Sequence, residues 1–357
     1  MVDPSLDREY AANLRVNKCK TPDEKTTKVE MDPGSRNTFD LSYYSLLVKR
    51  RGLFESDAAL IADFVTSSLI HQLPNGSVED FFAEFANSME KMIRINVKTG
   101  CDASVLLNSS SSSGEKPEKE AAPNLTIRGF DFIDRVKSLL EAECPGVVSC
   151  ADILALVSRD SIVATGGPFW KVPTGRRDGV TSRLSDAMAN IPPFFANFTT
   201  LQTQFANQGL DLKDLVLLSG AHTIGIAHCS SFSDRLYNFS GTGLPDPSLD
   251  SEYVANLKEN KCKSPDDNTT KVEMDPGSRN TFDLSYYSLL VKRRGLFESD
   301  AALITDSVSL SLINQLLSGS VEDFFAEFAN SMEKMIKINV KTGTVGEIRK
   351  HCAIVNS

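Results

Sequence analysis

Apolar residues recur every three or four positions along much of the chain beyond residue 128, the spacing that places side chains on one face of an α-helix. Glycine and proline interrupt this pattern where helices should end, as Gly166, Gly167 and Pro168 do. Alternation with a period of two, the mark of a strand, is scarce. The pattern predicts a mostly α fold, with helices over residues 129–143, 150–165, 201–208, 212–219, 230–237 and 320–336.

Each predicted helix has an apolar stripe that should face the core. The last one opens with Ser320 and Asp323, which have the spacing of a capping box. The stripes consist of Phe130, Ile133, Val136, Leu139 and Leu140 in the first helix, Ile153, Leu154, Val157, Ile162 and Val163 in the second, and Phe324, Phe325, Phe328, Met332, Met335 and Ile336 in the last.

Residues 3–100 occur again as residues 246–343, without a gap, and 83 of the 98 positions are identical. A gapless register of this length indicates a recent duplication, not a solenoid of 20–50-residue repeats. Only the second copy continues into a tail, residues 344–357. The sequence therefore predicts two parts: residues 1–100, a duplicate of 246–343, and residues 101–357, where function is expected.

Composition and charge exclude two classes of partner. The net charge of −9 offers no basic stripe for phosphates, so a nucleic acid partner is not expected. No apolar run reaches the roughly 18 residues that a membrane span needs. Seven cysteines and six Asn-x-Ser/Thr sites are typical of a secreted glycoprotein. The polar N-terminus lacks a signal peptide, so we expect the true start to be absent and the targeting to be in doubt.

The chain has four histidines, at 71, 222, 228 and 351. His71 is Asn314 in the other copy, so the fold does not require it, and His351 in the tail is expected to be solvated. His222 differs because it follows an apolar helix and a glycine turn, in Gly220–Gly225. Spacing alone would favour a buried structural histidine there.

The segment Gly220–Cys229 resembles the haem-ligand motif of the class III secretory plant haem peroxidases. Over residues 100–357 further stretches resemble that family in the family's order, whereas residues 1–100 resemble only its C-terminal part. The resemblance implies a helical fold with haem b between two lobes, and oxidation of small phenolic donors by hydrogen peroxide, in peroxide removal and the oxidative stress response. The supporting stretches are Gly100–Leu107, Cys144–Asp152, Gly166–Trp170, Gly175–Asp178, Asn190–Pro192 and Phe297–Asp300.

Roles around the haem follow from the matching positions. The resemblance implies that His222 is the axial ligand of the iron and that Asp300 accepts a hydrogen bond from its second ring nitrogen. His228 matches the residue that faces a haem propionate, and Pro192 matches the donor-substrate position. Without the resemblance, Asp300 would be read as a helix cap. Asp152 with Arg176 or Arg177 is expected to be a buried structural pair.

The resemblance also implies two calcium sites and two disulfides. Oxygen ligands and two carboxylates suit calcium, although aspartates in such a Pro-Gly loop are more often turn residues. Cys19, Cys101 and Cys144 are left over, and Cys19, the duplicate of Cys262, is expected to compete for Cys229. The first calcium site would use Thr223, Asp275, Ser278, Thr281 (by its carbonyl) and Asp283, a second and incomplete one Asp102 and Ser104, and the disulfides join Cys150 to Cys352 and Cys229 to Cys262.

The residues before Cys101 do not match the family. The family places a histidine seven positions before this cysteine and an arginine eleven before it, on the distal side of the haem. This chain has Arg94 and Glu90 there, and Ile95 where the second calcium site needs an aspartate. Asn124, which orients that histidine in the family, is left without its partner. The distal lobe is therefore expected to be incomplete and turnover impaired.

Three hypotheses stay open at this stage: a working peroxidase, a non-catalytic remnant that binds haem and calcium, and a gene model that fuses two neighbouring peroxidases. The duplicated apolar face of the first copy poses a separate problem, because only one copy can occupy the native groove. An exposed face of this size favours self-association through residues 77–97. Compartments implied by the resemblance are extracellular or vacuolar.

Overall fold

The computed structural model describes residues 6–21, 27, 29–30, 33, 42–53, 102–108, 114–125 and 127–356. The chain divides into two compact units, residues 1–82 and 83–357. The division at residue 100 that the repeat suggests stays a prediction. Residues 77–97 lie outside the described part of the chain, and so does the self-association predicted for them.

The first unit contains two described helices, α1 (Arg8–Asn17) and α2 (Ser42–Val48). Their counterparts in the second copy are also helices, and the caps agree closely. Asp7 Oδ1 accepts the N–H of Tyr10 at 2.9 Å, and Asp250 Oδ1 accepts the N–H of Tyr253 at 3.0 Å. Because capping and turn geometry depend on nearby residues, the closely similar sequences of the two copies build the same local structure twice.

The second unit is mostly helical. Its only described sheet is a two-stranded antiparallel pair, β1 (Ile226–His228) with β2 (Lys271–Glu273), in which Ala227 lies opposite Val272. Its described α-helices are α3 (Phe130–Glu143), α4 (Cys150–Ala164), α5 (Leu184–Asn190), α6 (Phe198–Ala206), α7 (Leu212–Ser219), α8 (Ser233–Tyr237), α9 (Ser251–Asn260), α10 (Ser285–Val291), α11 (Glu298–Ala302), α12 (Ser307–Ser318) and α13 (Val321–Met335).

The predicted mostly α fold class is confirmed, with small shifts at the helix ends. Helix α6 begins at Phe198, earlier than predicted, because Asn197 caps it by accepting the N–H of Thr200. Helix α8 begins only at Ser233, since a 3₁₀ turn occupies Cys229–Ser231. Ser320 caps α13 as predicted, through the N–H of Asp323 at 3.1 Å.

The prediction that every residue of the apolar stripes is buried is wrong for two of them. Leu139 is 41% exposed and Val163 is 38% exposed. In α3 the buried position belongs to Lys137, one turn after Ile133 on the same face. Its ammonium bonds to Glu141 and to the carbonyl of Val148. A paired lysine can occupy a core position that an apolar count assigns to a leucine.

Helices α7, α10, α12 and α13 surround the largest apolar cluster. Phe282 stacks on Phe324 with ring centroids 5.6 Å apart, and Phe328 contacts both rings edge-on. These rings lie beside the end of α7, where His222 follows. The core therefore fixes the backbone that carries the predicted iron ligand.

Buried charges and a disulfide anchor the C-terminal tail. Asp178 is fully buried and accepts the N–H groups of Cys150, Ala151 and Arg349. Burial raises the pKa of the Asp178 carboxyl, and the Arg349 guanidinium opposes that rise. The Cys150–Cys352 disulfide joins the same two segments, with Cα atoms 5.7 Å apart. Together these contacts hold the tail against α4.

No helix in the described residues is both long and apolar enough to cross a bilayer.

Candidate functional site

His222 lies in a 3₁₀ turn, Gly220–Thr223, directly after α7. Gly220 lets Tyr287 and Phe324 pack closely against this turn, because a Cβ there would collide with the Tyr287 hydroxyl and the Phe324 ring. The imidazole is 9% exposed. His222 is thus nearly buried at the end of an apolar helix.

The structure brings His222 and Asp300 together, as the sequence predicts. Nδ1 of His222 lies 2.6 Å from Oδ1 of Asp300. Asp300 stands in the first turn of α11, where its other oxygen accepts the N–H of Phe297 at 2.9 Å. The aspartate is therefore both a helix cap and the acceptor for the histidine. With Nδ1 donating to the carboxylate, Nε2 is the ring nitrogen that carries the lone pair, the tautomer in which an imidazole binds a metal.

Aromatic rings surround the imidazole and connect it to the segment after Pro192. The rings of Tyr286 and Phe297 meet that of His222 edge-on, with centroids 5.5 Å and 5.7 Å away. Phe194 lies 6.1 Å from Phe297, and its carbonyl accepts the N–H of Ser299. The predicted donor segment thus packs beside the helix that carries Asp300. His228 lies on β1, half-buried.

Oxygen atoms converge next to His222, at the predicted first calcium site. Thr223 Oγ1 lies 3.3 Å from an oxygen of Asp275 and 3.1 Å from one of Asp283. Ser278 Oγ bonds to Asp283 at 2.9 Å, and the N–H of Thr281 donates to the carbonyl of Ser278. Two carboxylates and two hydroxyls sharing one point form a hard-oxygen set.

The two carboxylates of this cluster repel each other without a cation. Burial raises the pKa of Asp275, the nearby Asp283 carboxylate adds to the rise, and the hydrogen bond from Ser285 opposes it. Among the described residues, no group of three or more His, Cys, Asp or Glu side chains is placed to hold a metal. Any ion here would be held by two carboxylates together with hydroxyl and carbonyl oxygens.

Asp102 and Ser104, the residues predicted for the second calcium site, have a lysine beside them. Asp102 is buried, and Lys341 Nζ donates to its Oδ2 at 2.7 Å. Its Oδ1 accepts the N–H of Ser104 at 3.1 Å. Ser104 Oγ is buried and has no hydrogen-bond partner within the described part of the chain. A lysine ammonium thus already balances the carboxylate that a cation would use.

The Lys341–Asp102 pair makes a testable prediction about stability. Changing Lys341→Met removes the ammonium that pairs with the buried Asp102 carboxylate. We expect roughly 1–3 kcal/mol of lost unfolding free energy, less than for a fully buried pair because the Lys341 side chain is 31% exposed. The measurement is urea unfolding.

The matched control is Lys337→Met, which breaks a surface pair with Glu333 and should cost at most about 0.5 kcal/mol. Equal losses in the two variants would contradict a special role for Lys341.

Asn124 shows an unsatisfied acceptor where the family's distal histidine would bond. It is 1% exposed, and its Nδ2 donates to the carbonyl of Glu118 at 2.7 Å. Its Oδ1 is buried and accepts no hydrogen bond from any residue that the structure describes. Arg94, Glu90, Ile95, Cys101 and His71 lie outside the described residues. The support for a distal donor is therefore present, whatever occupies that position.

The structure also shows the predicted cysteine pairs, the pair formed by Asp152, and the exposure of His351. Cys150–Cys352 and Cys229–Cys262 are disulfides, while Cys19 and Cys144 are free thiols among the described cysteines. Asp152 pairs with Arg176 at 3.0 Å, and Arg177 bonds instead to the carbonyl of Gly346. His351 is exposed, as expected.

Sequence reasoning missed two residues of the site, Ser285 and Tyr286. The Ser285 hydroxyl bonds to both Asp275 and Asp283. The Tyr286 hydroxyl donates to Asp300 at 2.9 Å. Both open α10, two and three positions after Asp283. A hydroxyl just after a predicted calcium aspartate was the available signal for Ser285.

Comparison with known proteins gives consistent matches. A sequence model of the family described as "Peroxidase" matches residues 1–76 and 79–318. Peroxidase 3 and Peroxidase 39 of Arabidopsis thaliana are 67% identical over 258 residues and 68% identical over 257 residues, covering 72% of this chain and 78% of each relative. Peroxidase 1 of Oryza sativa subsp. japonica is 53% identical over 261 residues, covering 72% of this chain and 79% of that protein.

Proposed function

Because this chain belongs to the peroxidase family, we propose that it binds haem b through His222 and uses hydrogen peroxide to oxidise small phenolic donors. The observation that carries the proposal is the 2.6 Å contact between His222 Nδ1 and Asp300. This contact fixes the ring and leaves Nε2 as the ligand atom.

The residues around His222 fit a haem on chemical grounds. Neutral imidazole is the common axial ligand of haem iron, and the ring is buried among Tyr286 and Phe297. Haem, when bound, supplies an iron that exchanges electrons with peroxide and donor. Asp300 holds the Nδ1 proton and makes the ring a stronger electron donor. We assign His228 to a haem propionate and Pro192 to the donor.

Calcium is the second proposed cofactor, at one site. Thr223, which follows the iron ligand directly, shares its hydroxyl with Asp275 and Asp283. An ion at this point would neutralise both carboxylates and stiffen the backbone at His222. We assign it the oxygens of Ser278 and the carbonyl of Thr281 as well, and we expect no second ion at Asp102 and Ser104 because Lys341 takes that role.

Calcium should stabilise the chain more at pH 7 than at pH 4. The raised pKa of Asp275 means that the folded chain keeps a proton that the unfolded chain releases, so stability falls as pH rises from about 3.9 through the folded-state pKa. Calcium replaces that proton and removes the penalty. At pH 7 and calcium near 100 times its Kd, the gain is about 2.7 kcal/mol, or about 4–5 °C in Tm.

The measurement is thermal unfolding with calcium or with a chelator at both pH values. Asp283→Asn should lose most of the gain at pH 7, and Asp266→Asn, an exposed acid in the same region, should keep it. A calcium gain that is larger at pH 4, or that Asp283→Asn leaves intact, would count against the site.

We propose that turnover is far slower than in a peroxidase with a complete distal side. Cleavage of peroxide needs a group that moves its proton and a group that stabilises the developing charge, and these contribute roughly 10²–10⁴-fold and roughly 10²–10³-fold. The matching positions hold Arg94 and Glu90.

The two disulfides suit an oxidising compartment, so we propose an extracellular or vacuolar protein that acts in peroxide removal and oxidative stress. The second candidate function is a non-catalytic haem- and calcium-binding remnant, favoured by Arg94 and Glu90. A fused gene model would explain the 83 identical positions of the repeat. A transcript that spans residues 98–103 would dispose of that explanation.

The experiment that tests the proposal is haem uptake by the purified chain, followed by a guaiacol assay. The pyridine haemochrome method should give about one haem per chain, and the loaded chain should oxidise guaiacol faster than free haem does. Haem uptake without such oxidation would leave only the binding function. A folded chain that takes up no haem would refute both.

A further inference from the structure

Tyr286 and His222 share one oxygen of Asp300. The Tyr286 hydroxyl donates to Oδ1 at 2.9 Å, and Nδ1 of His222 lies 2.6 Å from the same atom. Tyr286 and Asp300 are each only 1% exposed. In such a dry site, each hydrogen bond to the carboxylate changes how strongly it accepts the other.

We propose that Tyr286 is a positioning residue that limits how strongly Asp300 draws the Nδ1 proton of His222. This inference rests on the proposed function, because it assumes that His222 ligates haem iron. The tyrosine hydroxyl takes up part of the negative charge of Oδ1. The imidazole is then less anionic than Asp300 alone would make it, and the iron bound to it is easier to reduce.

Placement in the fold supports a tuned contact. Tyr286 is the second residue of α10, directly after Ser285, whose hydroxyl bonds to Asp275 and Asp283. The same helix start therefore contacts both the carboxylate behind His222 and the oxygen cluster beside it. The ring of Tyr286 also meets the imidazole edge-on, with centroids 5.5 Å apart, so the same side chain contacts both Asp300 and His222.

The next residue, Tyr287, provides a matched control. It is also buried on α10, but its hydroxyl donates to the carbonyl of Val216 at 2.9 Å. Changing Tyr287→Phe removes a buried hydroxyl of the same kind and leaves the Asp300 hydrogen bonds in place. A general loosening of α10 would affect both variants alike, whereas a role through Asp300 would affect only Tyr286→Phe.

The experiment is a spectroelectrochemical titration of the haem-loaded full chain. Tyr286→Phe should lower the ferric/ferrous midpoint potential, with the preference for ferric over ferrous iron raised by up to about tenfold, which is about 59 mV for a one-electron couple. Tyr287→Phe should stay within twofold of the unmodified chain. Equal potentials in the Tyr286→Phe and unmodified chains would overturn the inference, and so would equal shifts in the two variants.

An isosteric change covers the case in which Tyr286→Phe does not fold or load haem. Replacing Tyr286 by 3-fluorotyrosine keeps the shape and makes the hydroxyl a stronger donor, so the potential should rise. An unchanged or lower potential would contradict the inference. Failure of this test is distinguishable from failure of the proposed function: an unmodified chain that takes up no haem refutes both, whereas one that loads haem but shows no Tyr286 effect refutes only this inference.

Discussion

Replacing residues 1–99 by the segment that precedes the matching Gly-Cys-Asp-Ala-Ser stretch in one of the Arabidopsis relatives should raise kcat/KM for hydrogen peroxide by about 10⁴-fold or more. The replacement brings a distal acid–base group and a charge-stabilising group together, and their combined contributions reach this size even at the low end of each range. The contact between His222 and Asp300, which we propose as the proximal side, is already in place. The measurement is steady-state guaiacol oxidation at equal haem loading.

Asn124 offers an internal control for this experiment. Its Oδ1 accepts no hydrogen bond among the described residues, so Asn124→Leu should leave the slow rate of the present chain unchanged. In the chimera the same change should lower the rate, because the restored histidine loses its acceptor. If the chimera loads haem and stays slow, the defect lies outside the distal segment. A rate loss from Asn124→Leu in the present chain would show that Asn124 already has a catalytic partner.

Changing His222→Ala should weaken haem binding by at least about 100-fold, since the proposed iron ligand itself contributes more than the 10–100-fold typical of groups that only hydrogen-bond to a ligand. Asp300 would also lose its nearest donor, at 2.6 Å. The measurement is a Soret titration of the apo-chain with haem. Free imidazole should restore much of the uptake by entering the space that the side chain leaves.

The control for this prediction is His351→Ala, at an exposed position in the tail, which should bind haem like the unmodified chain. Circular dichroism establishes that both variants are folded. Unchanged haem uptake by a folded His222→Ala chain would mean that another residue ligates the iron. The basis of the proposed function would then be lost.

The sequence predicts the helices well because their apolar periodicity reports on burial directly. It fails at Lys137, where a lysine paired with Glu141 fills the buried position of α3. Apolar periodicity carries no information about whether a polar side chain has a hydrogen-bond partner. It also places Leu139 in the core, although that side chain is 41% exposed. Such errors arise wherever a polar group at a core position is satisfied by a hydrogen-bond partner.

At the candidate site too, sequence patterns do not reveal the hydrogen-bond partners of polar side chains. His222 and Asp300 are predicted from motifs, but Tyr286 joins them through a hydrogen bond from α10 to Asp300, which no motif describes. Lys341 is similar, because its bond to Asp102 spans 239 positions of sequence. Long-range hydrogen bonds of this kind decide which carboxylate is free for a cation, and they become visible only in the folded chain.

The duplication illustrates the opposite case, in which local sequence is sufficient. Helix α1 copies α9 down to its aspartate cap, and Arg50 and Arg293 share a left-handed φ of 58° at the same place after α2 and α10. Tyr253 is 8% exposed, whereas its counterpart Tyr10 is half-buried. Caps and turns follow from neighbouring residues, whereas burial depends on the rest of the fold.

Stopped-flow mixing of the haem-loaded chain with hydrogen peroxide tests most directly whether a complete proximal side faces a deficient distal one. The account predicts a Soret spectrum of histidine-ligated haem that changes at least about 10⁴-fold more slowly than in the chimera. A change as fast as in the chimera, in the chain with Arg94 and Glu90 unaltered, would contradict it.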